Sequence, residues 1–107
     1  MRITITARHC EIPAELRARA RVRLERLARI APRPHDGRVV FVADNGRPTV
    51  EVRLHTARGV VHVATARGAD HRSALDLAVA KVRRQLDKDP TRRRGAPSRR
   101  AREPQPR

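Results

Sequence analysis

Lys81, Arg84 and Lys88 recur at intervals of three and four residues, which at about 100° per residue places three cations on one side of a helix. Such side chains bind anions, and guanidinium in particular matches phosphate through its planar fork of donors. Arginine dominates the basic set: of 26 Lys plus Arg, only Lys81 and Lys88 are lysine. Against 11 Asp plus Glu this gives a formal net charge of +15. A chain so far from neutrality repels itself unless a polyanion is its working partner, and nucleic acid is the leading candidate. For any single basic helix face the plain alternative is a solvated surface.

The other residue types capable of chemistry do not assemble into a pattern. His9, Cys10, His55 and His62 are scattered through or beside the expected strands, and none forms a pair at ligand spacing such as C-x-x-C or H-x-x-x-H. His55 and His62 flank one hairpin, where ordinary polar or interior roles compete with metal binding. Cys10 has no activating partner at fixed spacing and reads as a small structural residue. No glycine-rich phosphate loop, nucleophile elbow or carboxylate pair is present, and the serines are Ser73 and Ser98 alone. The expectation is a binding protein rather than an enzyme, without metal or cofactor. Phe41 is the only aromatic residue, so base stacking on aromatic platforms is closed to it and phosphate contacts must dominate any RNA binding.

The three cations need a helix to carry them. Ala69 to Lys88 supplies one: Leu75, Ala78, Val82 and Leu86 make an apolar seam, Asp70 is a suitable N-cap, and Pro90 is the stop signal. Upstream, Arg2 to His9 alternates Ile3, Ile5 and Ala7 with polar residues, the period-two signature of a half-buried strand. Glu11-Ile12-Pro13 then opens a first helix, with Pro13 at its first position and Leu16, Ala20, Leu24, Leu27 and Ala31 along its apolar stripe. Six arginines of this helix face only Glu15 and Glu25, and Pro32 and Pro34 end it. His35-Asp36-Gly37 reads as a turn before the strand RVVFVAD, Asn45-Gly46 as a hairpin turn, and Thr49 to His55 as an alternating strand. Arg58-Gly59 turns the chain again into a strand over Val60 to Ala66. The predicted class is α+β, in the order β-α-β-β-β-α. The last three strands should form an antiparallel meander, with both helices packed on one face of a four-stranded sheet.

One domain of modest core is what 107 residues allow. It is expected over residues 1–89. Residues 90–107 hold seven Arg and four Pro with no apolar residue larger than Ala, and read as a disordered basic tail. The body remains basic without it. No apolar run approaches the roughly 20 residues that span a bilayer, and one cysteine allows no internal disulfide, so a reducing, cytoplasmic location is expected.

Three stretches, ITARHCEIPAELR, VEVRLHTARGVVHVAT and AD-x-x-SALDLAVAKVRRQLDK, together resemble the short form of the ribosome hibernation promoting factor and ribosome-associated inhibitor A family. The resemblance covers about residues 1–89. It implies a domain that enters the small ribosomal subunit between head and body, in the channel of mRNA and tRNA, and blocks translation by occupancy. Carried over position by position, it implies ribosomal RNA contacts at Arg23 and Arg26 of the first helix and at Lys81, Arg84 and Lys88 of the second, with Arg8 a further candidate on the first strand. Arg19 and Arg72 stand where the family usually shows an aromatic residue, and Pro90 interrupts a basic run that commonly continues the second helix. Longer members carry a dimerisation domain, to which nothing after Asp89 corresponds. Composition alone would favour a generic RNA- or DNA-binding module, and the resemblance is what moves the weight to the ribosome.

Overall fold

A computed structural model describes residues 1–88; the expected tail and Pro90 lie outside them. The elements run β1 (Arg2–Arg8), α1 (Ala14–Ile30), β2 (Asp36–Asp44), β3 (Arg47–His55), a short 3-10 turn (Ala57–Gly59), β4 (Val61–Arg67) and α2 (His71–Asp87). This is the predicted β-α-β-β-β-α order. The sheet order is β1-β2-β3-β4, with β1 parallel to β2 and the remaining pairs antiparallel. The parallel pair is what a helical crossover between β1 and β2 permits, whereas short turns join antiparallel neighbours.

Each strand sends alternate residues to opposite sides of the sheet. Val39 and Phe41 of β2, with Val50, Val52 and Leu54 of β3, lie under the helices and are at most 1% exposed. They meet Ala20, Leu24 and Leu27 of α1 and Leu75, Ala78, Val82 and Leu86 of α2 in one core. Burial of these aliphatic side chains is the main force holding the layers together, at about 1.5–3 kcal/mol for each large one. Phe41, fully buried, packs edge-on to His71 with ring centroids 5.7 Å apart. The carbonyl of Val42 accepts from His71 Nε2 at 2.9 Å, which fixes the start of α2 over the sheet.

Some boundaries differ from the sequence reading. Asp36 and Gly37 belong to β2 rather than to a turn. A Cβ at Gly37 would stand 2.6 Å from Leu24 Cδ2, so any side chain there must displace Leu24 of α1 from its place over the strand. Pro13 sits at the N-cap of α1, with Ala14 the first helical residue. Asn45 and Gly46 both have positive φ, 53° and 77°, as a two-residue primed turn requires. In β4 the inward positions are His62, Ala64 and Ala66, while Val61 and Val63 face outward at 43% and 37% exposure. No helix of the described residues is long and apolar enough to cross a membrane.

Candidate nucleic-acid interface

Asp70 starts α2 as predicted: its Oδ1 accepts from the Ser73 backbone N–H at 2.7 Å. That bond, with the Ser73 side chain next in effect, holds the Asp70 carboxyl below its ordinary pKa. From this start the helix presents two polar rows flanking its buried seam, and the two rows look in different directions.

One row faces α1. Asp76 stands opposite Arg19 and Arg23: Arg19 Nη2 donates to both carboxylate oxygens at 3.0 Å, and Arg23 Nη2 lies 3.3 Å from Oδ1. One carboxylate between two guanidiniums leaves the cluster positive. The Nε–H groups of both arginines are enclosed without a hydrogen-bond partner among the described residues, which makes the shared carboxylate their principal compensation. A turn further along, Arg23 and Arg26 of α1 line an interhelical groove of about 320 Å³ with Leu27, Val79, Ala80 and Arg83. Its walls are cationic and its floor aliphatic. An anion entering between the helices would meet three guanidiniums.

The other row faces β4, an edge strand whose outer backbone groups have no neighbouring strand among the described residues. Lys81 Nζ donates to the carbonyl of Thr65 at 3.0 Å and Gln85 Nε2 to that of Val63 at 2.7 Å. These side chains satisfy two outward carbonyls of the edge, a position otherwise open to strand pairing. Lys81, Arg84, Gln85 and Lys88 share a shallow groove of about 430 Å³ with Val63 and Thr65. Lys81, Arg84 and Lys88 are exposed, as anion contacts must be.

The expected residues therefore fall into three places. Arg23 and Arg26 come together between the helices, Lys81, Arg84 and Lys88 come together beside β4, and Arg8 lies on the far side of the sheet, pointing away from Ile5 and Ala7, which pack on the core. Sequence reasoning passed over Arg83, Asp76 and Gln85 as contributors. The spacing signal existed for Arg83, which lies seven residues after Asp76, two helical turns along the row that faces α1. Arg19 and Arg72, the departures from the family pattern, line one depression of about 400 Å³ with Pro13, Glu15 and Leu16.

His55 and His62, which flank the hairpin, do not converge, because Leu54 rather than His55 is the register partner of His62 and the two imidazoles project from opposite faces. Among the described residues no group of three His, Cys, Asp or Glu is placed to hold a metal ion. Cys10 rests against the core and its Sγ donates weakly to the Phe41 carbonyl at 3.6 Å.

A small α+β domain with a cationic helical layer and an unencumbered sheet is the class this architecture defines. A family model described as Sigma 54 modulation protein / S30EA ribosomal protein matches residues 3–94, and the chain belongs to that family. The fold is similar to that of a ribosomal subunit interface protein from Coxiella burnetii, with TM-score 0.71 and 24% identity, covering 82% of this chain and 96% of that one. It is likewise similar to the Protein Y N-terminal domain of Thermus thermophilus, with TM-score 0.70 and 23% identity, covering 82% and 98%. Among curated proteins no match to the chain was found.

Proposed function

We propose that this protein is a ribosome hibernation factor: it binds the small ribosomal subunit in the channel used by mRNA and tRNA, and inhibits translation by occupying it. The observation that carries the reading is membership in a family described as S30EA ribosomal protein over residues 3–94. The names of the two similar structures, a ribosomal subunit interface protein and Protein Y, agree with it. The helical layer supplies the physical basis. Arg23, Arg26 and Arg83 in one groove, with Lys81, Arg84 and Lys88 in the next, form two parallel tracks of cations suited to RNA phosphates. Contacts of this kind position a protein without reading sequence, so the site is selected by shape. The role is steric and needs no catalytic group or cofactor, and its place is the cytoplasm, where ribosomes work.

A cell-free translation reaction tests it. Added protein should inhibit in proportion to its ratio to ribosomes, and prebound mRNA and tRNA should protect. Absence of inhibition at a large excess, with retained affinity for any RNA or DNA, would replace this reading with a generic nucleic-acid-binding module.

A further inference from the structure

The face of the sheet turned away from the helices carries its own cationic array. The register puts Arg38 of β2 directly opposite Arg53 of β3, with Thr4 of β1 beside Arg38 and Val63 of β4 beside Arg53. Like charges at directly opposed sheet positions are destabilising. Arg53 is partly compensated by Glu51, 3.7 Å away on the same strand. Arg38 is exposed and has no hydrogen-bond or ion-pair partner among the described residues. Arg8 extends the positive charge along β1, where Arg2 stands opposite Asp36, and Thr4 places a neutral hydroxyl beside Arg38.

We propose that this open face is a second polyanion-binding surface, which takes an RNA phosphate backbone across the Arg38–Arg53 pair. The inference rests on the ribosomal reading above and extends it: the domain carries RNA-binding surfaces on both sides and bridges two RNA segments. Opposed Cβ atoms in a sheet are about 4.5–5.5 Å apart, so one phosphate can lie between both guanidiniums and turn a repulsive pair into a shared contact. Phe41 points into the core, so no Phe, Tyr or Trp ring stands on this face and the phosphate backbone is the feature its arginines are suited to hold. Arg8, remote from the helical grooves, has its role here.

The test compares full-length wild type, Arg38→Gln/Arg53→Gln and Lys81→Ala/Arg84→Ala/Lys88→Ala, binding to purified small ribosomal subunits and to RNA extracted from them, across a salt series. The Gln pair should keep its melting temperature, since it relieves a like-charge opposition. It should lose on the order of tenfold in affinity at 0.1 M salt, and its log–log salt slope should be shallower by about two, on both probes. Arg38→Gln alone, which spares the Arg53–Glu51 contact, should make the slope shallower by about one. Wild-type slope in the Gln pair, with loss in the helix variant, overturns the sheet-face inference and leaves the ribosomal reading standing. Loss on subunits but not on extracted RNA overturns the RNA assignment in favour of a protein partner. If wild type binds neither probe, both the inference and the reading beneath it fall.

Discussion

Arg19 of α1 and Asp76 of α2 are joined by a single guanidinium nitrogen that donates to both carboxylate oxygens at 3.0 Å. The same carboxylate lies 3.3 Å from Arg23, so one acidic residue ties two cations of the first helix to the second. This fixes the side-by-side placement of the helices at the point where their cationic surfaces meet. Both partners are about one-third exposed, which limits the energy of the tie to the range of surface ion pairs.

Asp76→Ala should therefore lower stability by about 1 kcal/mol, which for a domain of this size is a fall of about 4–8 °C in melting temperature. The difference should shrink in high salt as the ion pairs are screened. An unchanged melt at low salt would show that the clamp contributes nothing to helix docking.

Gly37→Ala should destabilise by about 1–3 kcal/mol, because the new methyl must displace Leu24 from a filled core. Urea unfolding measures this as a lower midpoint at unchanged slope. The compensating pair Gly37→Ala with Leu24→Ala should recover part of the steric loss while incurring a cavity elsewhere, so its effect should fall short of the sum of the two single changes. Strict additivity would mean that the two positions do not touch in solution.

These two residues also show what could and could not be read from the chain. The element order followed from strict alternation in β1 and β3 and from helical spacing in α2, signals local to each segment. Gly37 reads as punctuation in the sequence because its reason is Leu24, thirteen positions away, and a contact across the core leaves no trace in local pattern. The same holds for the site. The row Lys81, Arg84 and Lys88 on α2 is visible as spacing, but that it faces β4 while Asp76 and Arg83 face α1 depends on how the helix docks. That is why spacing alone does not single out Arg83. In β4, apolar residues occupy both faces, so the flanking turn signals place the strand without telling which side is inward. The helix side took Ala64 and Ala66.

Asp70 gives α2 an acid-sensitive start. Its carboxyl is held below the ordinary 3.8 by the Ser73 backbone bond, so the folded state binds a proton less readily than the unfolded chain. The stability it contributes is fully present above that ordinary value and is lost as pH falls through the lower, folded-state pKa. Asp70→Ala should lower the melting temperature at neutral pH and bring the mutant and wild-type curves together at strongly acid pH. Curves that stay parallel down to the acid limit would contradict the cap's role.

Replacing Lys81, Arg84 and Lys88 together by Ala should leave the fold intact, since all three are exposed and none belongs to the apolar seam. Lys81 does donate to the Thr65 carbonyl, so the variant also uncovers part of the β4 edge. A tendency to self-associate at high concentration, read by sedimentation velocity, is the expected side effect. Monomeric behaviour at every concentration would show that Gln85 alone covers the edge.

Sedimentation of purified small ribosomal subunits with the intact chain, over a series of salt concentrations, tests the central claim most directly. The protein should pellet with the subunits at low salt and be released steeply as salt rises, and the Lys81, Arg84, Lys88 triple-Ala variant should show a slope shallower by about three. Protein that stays in the supernatant at low salt while still binding free RNA, or a folded triple variant with the wild-type slope, would contradict it.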